Sequence, residues 1–269
     1  MTRDTAVVLL HGLCSTPDEL LPVHQALRSA GCTVVAPRIP GYSFDPDAPV
    51  QRTRPWREWI AAIDAEVEAL RRKHARVALV GISAGASLAL GAAIRCGARV
   101  DAMVLMSTTL RFDGWAIPRT QWLLPLALYT PLGRWWSYRE RPPYGVKNER
   151  VRAWIERELQ QRRISRAGAA VLGIGHLREH DRLIRHVRGH LAQVACHRVL
   201  AIHAREDEVA SPANLALLAR GLGSERLRTL IVDNSYHMVS IDNDRLRVAR
   251  ETVAFLASSH STVPERTCA

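Results

Sequence analysis

The sequence predicts an α/β fold: a mainly parallel sheet, covered by helices on both faces and interrupted by a helical insertion. Three observations carry this expectation. Short, continuously apolar runs alternate with stretches of helical period, the pattern of parallel strands buried on both faces. One such run, beginning at Arg76, breaks at Gly81-Ile82-Ser83-Ala84-Gly85 and continues as a small-residue segment of helical character. The stretch between Met106 and Val199 departs from the alternation, and it holds five of the seven tryptophans: Trp115, Trp122, Trp135, Trp136 and Trp154.

Residues 6–10 form an apolar run that breaks at His11-Gly12, a buried strand entering a turn. Residues 18–30 read as a helix with Asp18 and Glu19 in its first turn and Gly31 past its end, the charge and cap that helix termini favour. Residues 33–36 are the next strand. The proline-rich residues 37–55 make a long loop at its C-terminal end, where open α/β sheets build the walls of their sites. Residues 56–74 return to helical period, with Trp56, Trp59, Ile60, Ile63, Val67 and Leu70 on one face, so the two tryptophans belong to the core. Residues 76–82, 100–106, 199–202 and 227–232 are four further strands. Helices follow the first of these and fill residues 212–221 and 243–256. The expected organisation is a core in two parts, residues 1–110 and 198–257, a helical cap over residues 111–197, and a loose tail over residues 258–269.

A chain of 269 residues with 47% hydrophobic content can bury a full core. The net charge is +11, and residues 111–198 supply sixteen Arg and one Lys against seven acidic residues, +10 of it. So local an excess points to transient contact between the cap and anionic surfaces. No basic and aromatic nucleic-acid motif accompanies it. The five cysteines, Cys14, Cys32, Cys96, Cys196 and Cys268, are odd in number and lack a Cys-x-x-Cys pair, which reads as free thiols in the cytoplasm. The N-terminal apolar run is too short for a secretory signal, and no stretch approaches the roughly twenty apolar residues of a membrane-spanning helix. His176/His180 and His186/His190 stand at i,i+4 spacing, but no Glu follows His176 as a His-Glu-x-x-His site requires. The pairs read as a solvated helical face, with no metal.

The chemistry centres on Ser83. Glycines two residues to either side let the chain bend sharply from strand to helix, and a serine at that bend presents its hydroxyl above the sheet edge. The helix starting near Ala84 aims unpaired N–H groups at the same point. A serine hydroxyl becomes nucleophilic when an imidazole takes its proton, and the imidazole needs a carboxylate to fix its tautomer. In such a sheet both partners lie on loops after later strands, in the order acid, then histidine. The loop 204–212 contains Glu206, Asp207 and Glu208, and the loop 233–239 contains His237. Glu206 and Glu208 read as solvated loop charges. His203 precedes the acid and reads as packing at a strand end, while Cys14 has no visible base.

With His11-Gly12 after the first strand, the Gly81–Gly85 turn, Arg205-Glu-Asp-Glu-Val209 and Ser235-Tyr-His-Met238, the chain resembles the α/β-hydrolase superfamily. Within it the chain is most similar to small bacterial carboxylesterases and monoacylglycerol lipases, over nearly everything except the insertion. The resemblance implies Ser83 as nucleophile, Asp207 as acid because it precedes an x-Val pair, and His237 as general base. It also implies an oxyanion hole from the backbone N–H groups of Leu13 and Ala84, a structural His11, and no cofactor. Two motifs depart from the lipase pattern: Ile82 and Ala84 flank the serine where His and Met are usual, and Gly41-Tyr42-Ser43 replaces Gly-His-Gly. The expected reaction is hydrolysis of a small carboxylic ester with an apolar acyl group through an acyl-enzyme. Thioester or carbon–carbon bond hydrolysis and acyl transfer use the same residues, and a non-enzymatic basic binding protein is the contrasting reading. Activity is expected to rise through roughly pH 6–7, the ordinary histidine range. Trp122, Trp135 and Trp154 are expected to set acyl-chain preference, with Arg162 and Arg163 on the outer face.

Overall fold

The computed structural model describes residues 4–258 except 46, 49–50, 132, 134–136, 163 and 166–167, together with the side chain of Arg162. Trp135, Trp136, Arg163, Cys268 and the tail from residue 259 therefore lie outside the described residues, as does the position of the Arg162 side chain.

In chain order the first half contains β1 (Thr5–Leu10), α1 (Leu21–Ser29), β2 (Thr33–Val35), α2 (Trp56–Arg71), β3 (Arg76–Ile82), α3 (Ala84–Cys96) and β4 (Ala102–Met106). After β4 come α4 (Leu124–Tyr129), β5 (Ser137–Arg139), α5 (Glu149–Arg162), β6 (Ile164–Ser165), β7 (Gly168–Ala169), β8 (Val171–Gly173) and α6 (Ile174–His190). The chain closes with β9 (Val199–Ala204), α7 (Ala213–Leu222), β10 (Leu227–Val232) and α8 (Arg245–Ala257).

Six strands form one parallel sheet in the order β10-β9-β4-β3-β1-β2. The two-residue period of a strand explains why its central members are apolar throughout. Ala6, Val8 and Leu10 of β1 enter one core cluster with α2, α3, α6 and α7, while Val7 and Leu9 enter the other with α1 and α8. On α2 the buried residues are Trp56, Trp59, Ile60, Ile63, Val67 and Leu70, spaced as one helical stripe. Burying each of these large side chains contributes on the order of 1.5–3 kcal/mol against leaving it in water.

The segment 18–30 forms in two steps. Residues Pro17–Leu20 make a 3₁₀ turn before α1, and Glu19 is buried rather than presented at an exposed helix start. Between β4 and β9 the chain leaves the sheet, and β5 pairs with β8 and β6 with β7 in short antiparallel ribbons. α6 then returns to the core, where Leu183 and Val187 pack with α2 and α3.

That return overturns one expectation. His176 and His180 are buried rather than solvated, because the side of α6 that carries them is turned inward. The His180 ring meets Phe112 edge-on at 5.9 Å between centroids. Burial pushes His180 down to about 4 and lowers His176, so both are neutral at physiological pH. The second pair lies against α2, with the His186 ring 4.7 Å from Trp56 and 4.3 Å from His190. Among the described residues no group of three or more His, Cys, Asp or Glu is placed to hold a metal ion. No described helix is long and apolar enough to cross a membrane.

Candidate active site

Parallel pairing brings the C-terminal ends of five strands to one edge of the sheet. Leu10 is level with Gly81, Ile82 with Met106, Met106 with Ile202 and Ala204 with Val232. The loops leaving β1, β3, β4, β9 and β10 therefore converge, the general location of ligand sites in open α/β sheets.

Ser83 stands at the β3–α3 turn with φ 55° and ψ −121°, in the left-handed region that side chains rarely occupy. Its N–H donates to Met106 O at 2.9 Å, which pins the turn to β4. The flanking glycines are required by space. A Cβ on Gly81 would stand 2.7 Å from Ala86 N, and one on Gly85 would stand 2.7 Å from the carbonyl carbon of Leu10. The strained turn is thus held by close backbone packing on both sides.

His237 and Asp207 come to this serine from their loops. His237 Nε2 is 2.8 Å from Ser83 Oγ, and His237 Nδ1 is 2.9 Å from each oxygen of Asp207. A carboxylate at Nδ1 keeps the ring proton there, which leaves Nε2 to accept the serine hydroxyl. Asp207 is fixed in turn by the N–H groups of Val209 and Ala210, which donate to its Oδ1 at 2.9 and 2.8 Å. His203 packs beneath it, with Nε2 donating to Ala210 O at 2.6 Å and lying 3.3 Å from Asp207 Oδ2. Burial alone would raise the Asp207 carboxyl, but the two histidines hold it well below the usual carboxylate range. For His237 burial opposes the charged ring. The charge and hydrogen bond of Asp207, with the charges of Glu208 and Glu140, outweigh burial and push His237 up to about 9.

The loop after β1 runs beside the elbow. His11 Nδ1 donates to Gly12 O at 2.7 Å, its Nε2 is 2.8 Å from Ser43 Oγ, and Tyr42 Oη donates to His11 O at 2.7 Å. Burial pushes His11 down to about 4, so its ring is a neutral strut. Among the described residues the Leu13 N–H has no acceptor, and the Ala84 N–H begins α3, where no intrahelical carbonyl is available. Cys14 is buried and its thiol is pushed up to about 12, which leaves it unreactive at neutral pH.

The structure adds residues to this edge that the sequence reading did not assign. Glu206 is exposed and pairs with Lys147 at 2.9 Å, as a loop charge should. Glu208, expected to be solvated as well, is 4% exposed and accepts the N–H of His237 at 3.0 Å. The reason is the turn that seats Asp207: it points the next carboxylate back under the histidine loop. Glu19 Oε2 accepts Gly12 N–H at 2.6 Å, and burial pushes this carboxyl up to about 7. Burial, then the charge of Glu208, likewise pushes Glu140 up to about 7. A Glu seven residues after a His-Gly turn was the available signal for the Glu19 contact.

Of the tryptophans expected to set acyl preference, one is mostly in solvent and one lines a different groove. Trp122 is 73% exposed, and Trp154 lines a groove of about 440 Å³ with Leu21, Ile241 and Arg245 that none of Ser83, Asp207 and His237 lines. A separate small apolar cluster includes the loop after β1: Cys14, Phe44 and Ala169, against which Leu13, Ile164 and Leu172 pack.

The sequence profile of the alpha/beta hydrolase family matches residues 7–251. The thermostable monoacylglycerol lipase of Bacillus sp. (strain H-257) is 24% identical over 260 residues, covering 93% of this chain and 90% of that one. A solved structure from work on LipS and LipT, two metagenome-derived lipolytic enzymes, superposes with a TM-score of 0.76 at 22% identity, covering 95% of this chain and 94% of that one. The monoacylglycerol lipase of Paleococcus ferrophilus superposes with a TM-score of 0.75 at 18% identity, covering 93% of each chain.

Proposed function

The chain belongs to the alpha/beta hydrolase family and is lipase/esterase-like, and from that premise we propose that it is a serine hydrolase acting on small carboxylic esters with an apolar acyl group. The observation that carries this reading is the continuous hydrogen-bonded line from Ser83 Oγ through the His237 ring to Asp207. In the first half-reaction Ser83 Oγ attacks the ester carbonyl as its proton passes to His237 Nε2. The N–H groups of Leu13 and Ala84 receive the developing oxyanion, and His237 returns the proton to the departing alcohol. A water that gives its proton to His237 then releases the acid from Ser83. Asp207 keeps the ring in one tautomer and stabilises the imidazolium formed in both halves.

The apolar cluster beside Leu13 and the monoacylglycerol lipases among the relatives support an aliphatic acyl chain. The test is hydrolysis of p-nitrophenyl esters of different chain lengths together with a monoacylglycerol. Release of fatty acid, with an optimum at an intermediate chain length, is expected. Turnover of thioesters with none of oxygen esters would replace the reading with the thioester one. Residues 111–197 we take as the cap, anchored to the core by α6. Exposed Trp122, Leu123 and Leu126, in the same stretch of sequence as exposed Arg111 and Arg119, support its transient contact with anionic surfaces. Cys14, Cys32, Cys96 and Cys196 are unpaired and buried, in keeping with a cytoplasmic setting.

The pH dependence follows from the environment of His237. The base acts when neutral, and its folded-state value lies near 9 rather than in the ordinary 6–7 range. With free enzyme and saturable substrate, kcat/KM is expected to keep rising beyond pH 7 and to level off near pH 9. Levelling at pH 6–7 would mean that the neighbouring carboxylates carry no charge in the working enzyme.

A further inference from the structure

The main chain of His237 is gripped at both of its polar atoms. Its N–H donates to Glu208 Oε2 at 3.0 Å, and its carbonyl accepts the Ser107 hydroxyl at 2.6 Å. Ser107 directly follows β4 with φ 45° and is fully buried, so its hydroxyl is fixed by a backbone conformation that costs energy to hold. Glu208 comes from the loop after β9, directly after the carboxylate that binds the ring. Two successive acidic residues thus share one histidine: Asp207 takes its ring and Glu208 its main chain. The second oxygen of Glu208 lies against Gly145, where a Cβ would stand 3.5 Å from it. Gly145 also accepts the N–H of Met238 at 2.8 Å, so a third segment braces the same loop.

We propose that Glu208 is a second positioning carboxylate for His237, holding its main chain and setting a negative charge beside the buried base. The inference rests on His237 being the general base of the proposed reaction. Hydrogen bonds from a buried donor to a carboxylate are strong, and a negative charge close to a buried ring favours the imidazolium. The charged groups that face the ring are Asp207 and Glu208 from the loop after β9 and Glu140 from the segment after β5. Glu19, from the turn before α1, also acts on it, and His203 acts through Asp207. Burial pushes the Glu208 carboxyl itself up, His237 pulls it down, and Asp207 adds to the rise. Asp207 must stay for the tautomer; Glu208 is the neighbour whose charge can be removed while its hydrogen bond is kept.

Glu208→Gln makes that separation, since its amide oxygen still accepts the His237 N–H. The ring titration of His237, followed by ¹⁵N-imidazole NMR, is expected to move down by about one pH unit. The midpoint of kcat/KM should move with it, leaving the alkaline plateau within about threefold of wild type. Ser107→Ala removes the other grip with every charge in place: kcat should fall several-fold while KM and the pH midpoint stay. Glu208→Asp, also charged, should keep the wild-type midpoint, and it carries the test if the Gln variant does not fold. An unchanged His237 titration in Glu208→Gln, or a downward shift as large in Glu208→Asp, overturns the proposal. The NMR titration does not depend on turnover. A shifted ring in a protein that hydrolyses no ester would leave the Glu208 inference standing and remove the proposed reaction; ester hydrolysis with an unshifted ring would do the reverse.

Discussion

Ser83→Ala is expected to lower kcat/KM for ester hydrolysis by at least ~10³-fold while the protein stays folded. The substitution keeps the Cβ, so the packing of Gly81 and Gly85 around the turn is undisturbed. What disappears is the hydroxyl 2.8 Å from His237 Nε2. The N–H groups of Leu13 and Ala84 remain, so a small residual rate from substrate positioning and oxyanion stabilisation is expected. Circular dichroism and thermal unfolding close to wild type, measured beside the kinetics, separate loss of chemistry from loss of fold.

Asp207→Asn should be comparably severe, on the order of 10⁴-fold in kcat. The Asn amide can turn a donor toward Nδ1, which moves the ring proton to Nε2, where it can no longer accept from Ser83. The change is made at a residue whose side chain is fully buried and which also accepts two backbone N–H groups, so some loss of stability is expected as well. Glu206→Gln is the internal comparison. It removes an exposed ion pair with Lys147, worth about 0–1 kcal/mol, and should leave kcat/KM within about twofold. A mild Asp207→Asn beside a severe Glu206→Gln would reverse the assignment of the acid.

Much of this arrangement was legible in the sequence because its causes are local. Gly81 and Gly85 are spaced by the sterics of one turn, and β1, β3 and β4 are apolar because both their faces are covered. The stripe Trp56, Trp59, Ile60, Ile63, Val67 and Leu70 repeats at the helical period that buries it. What escaped depends on contacts between distant parts of the chain. Nothing in Glu206-Asp207-Glu208 says that Glu208 turns inward beside Asp207; that is decided by His237, 29 residues beyond Glu208. Glu19 has the position of a helix-start acid, yet the N–H of Gly12, which lies before the 3₁₀ turn, draws it into the core. His176 and His180 have the spacing of a solvated face, and the packing of α6 on the core reverses it. The alkaline displacement of His237 has the same origin, since the carboxylates that raise it, Asp207 first and then Glu208 and Glu140, come from other segments of the chain.

The most direct test of Ser83 as the nucleophile is covalent labelling with a fluorophosphonate, read by intact mass and peptide mapping. One adduct per chain is expected, on Ser83, formed faster as the pH rises toward 9 and absent from Ser83→Ala. An adduct on another residue, or ester hydrolysis that survives undiminished in Ser83→Ala, would contradict it.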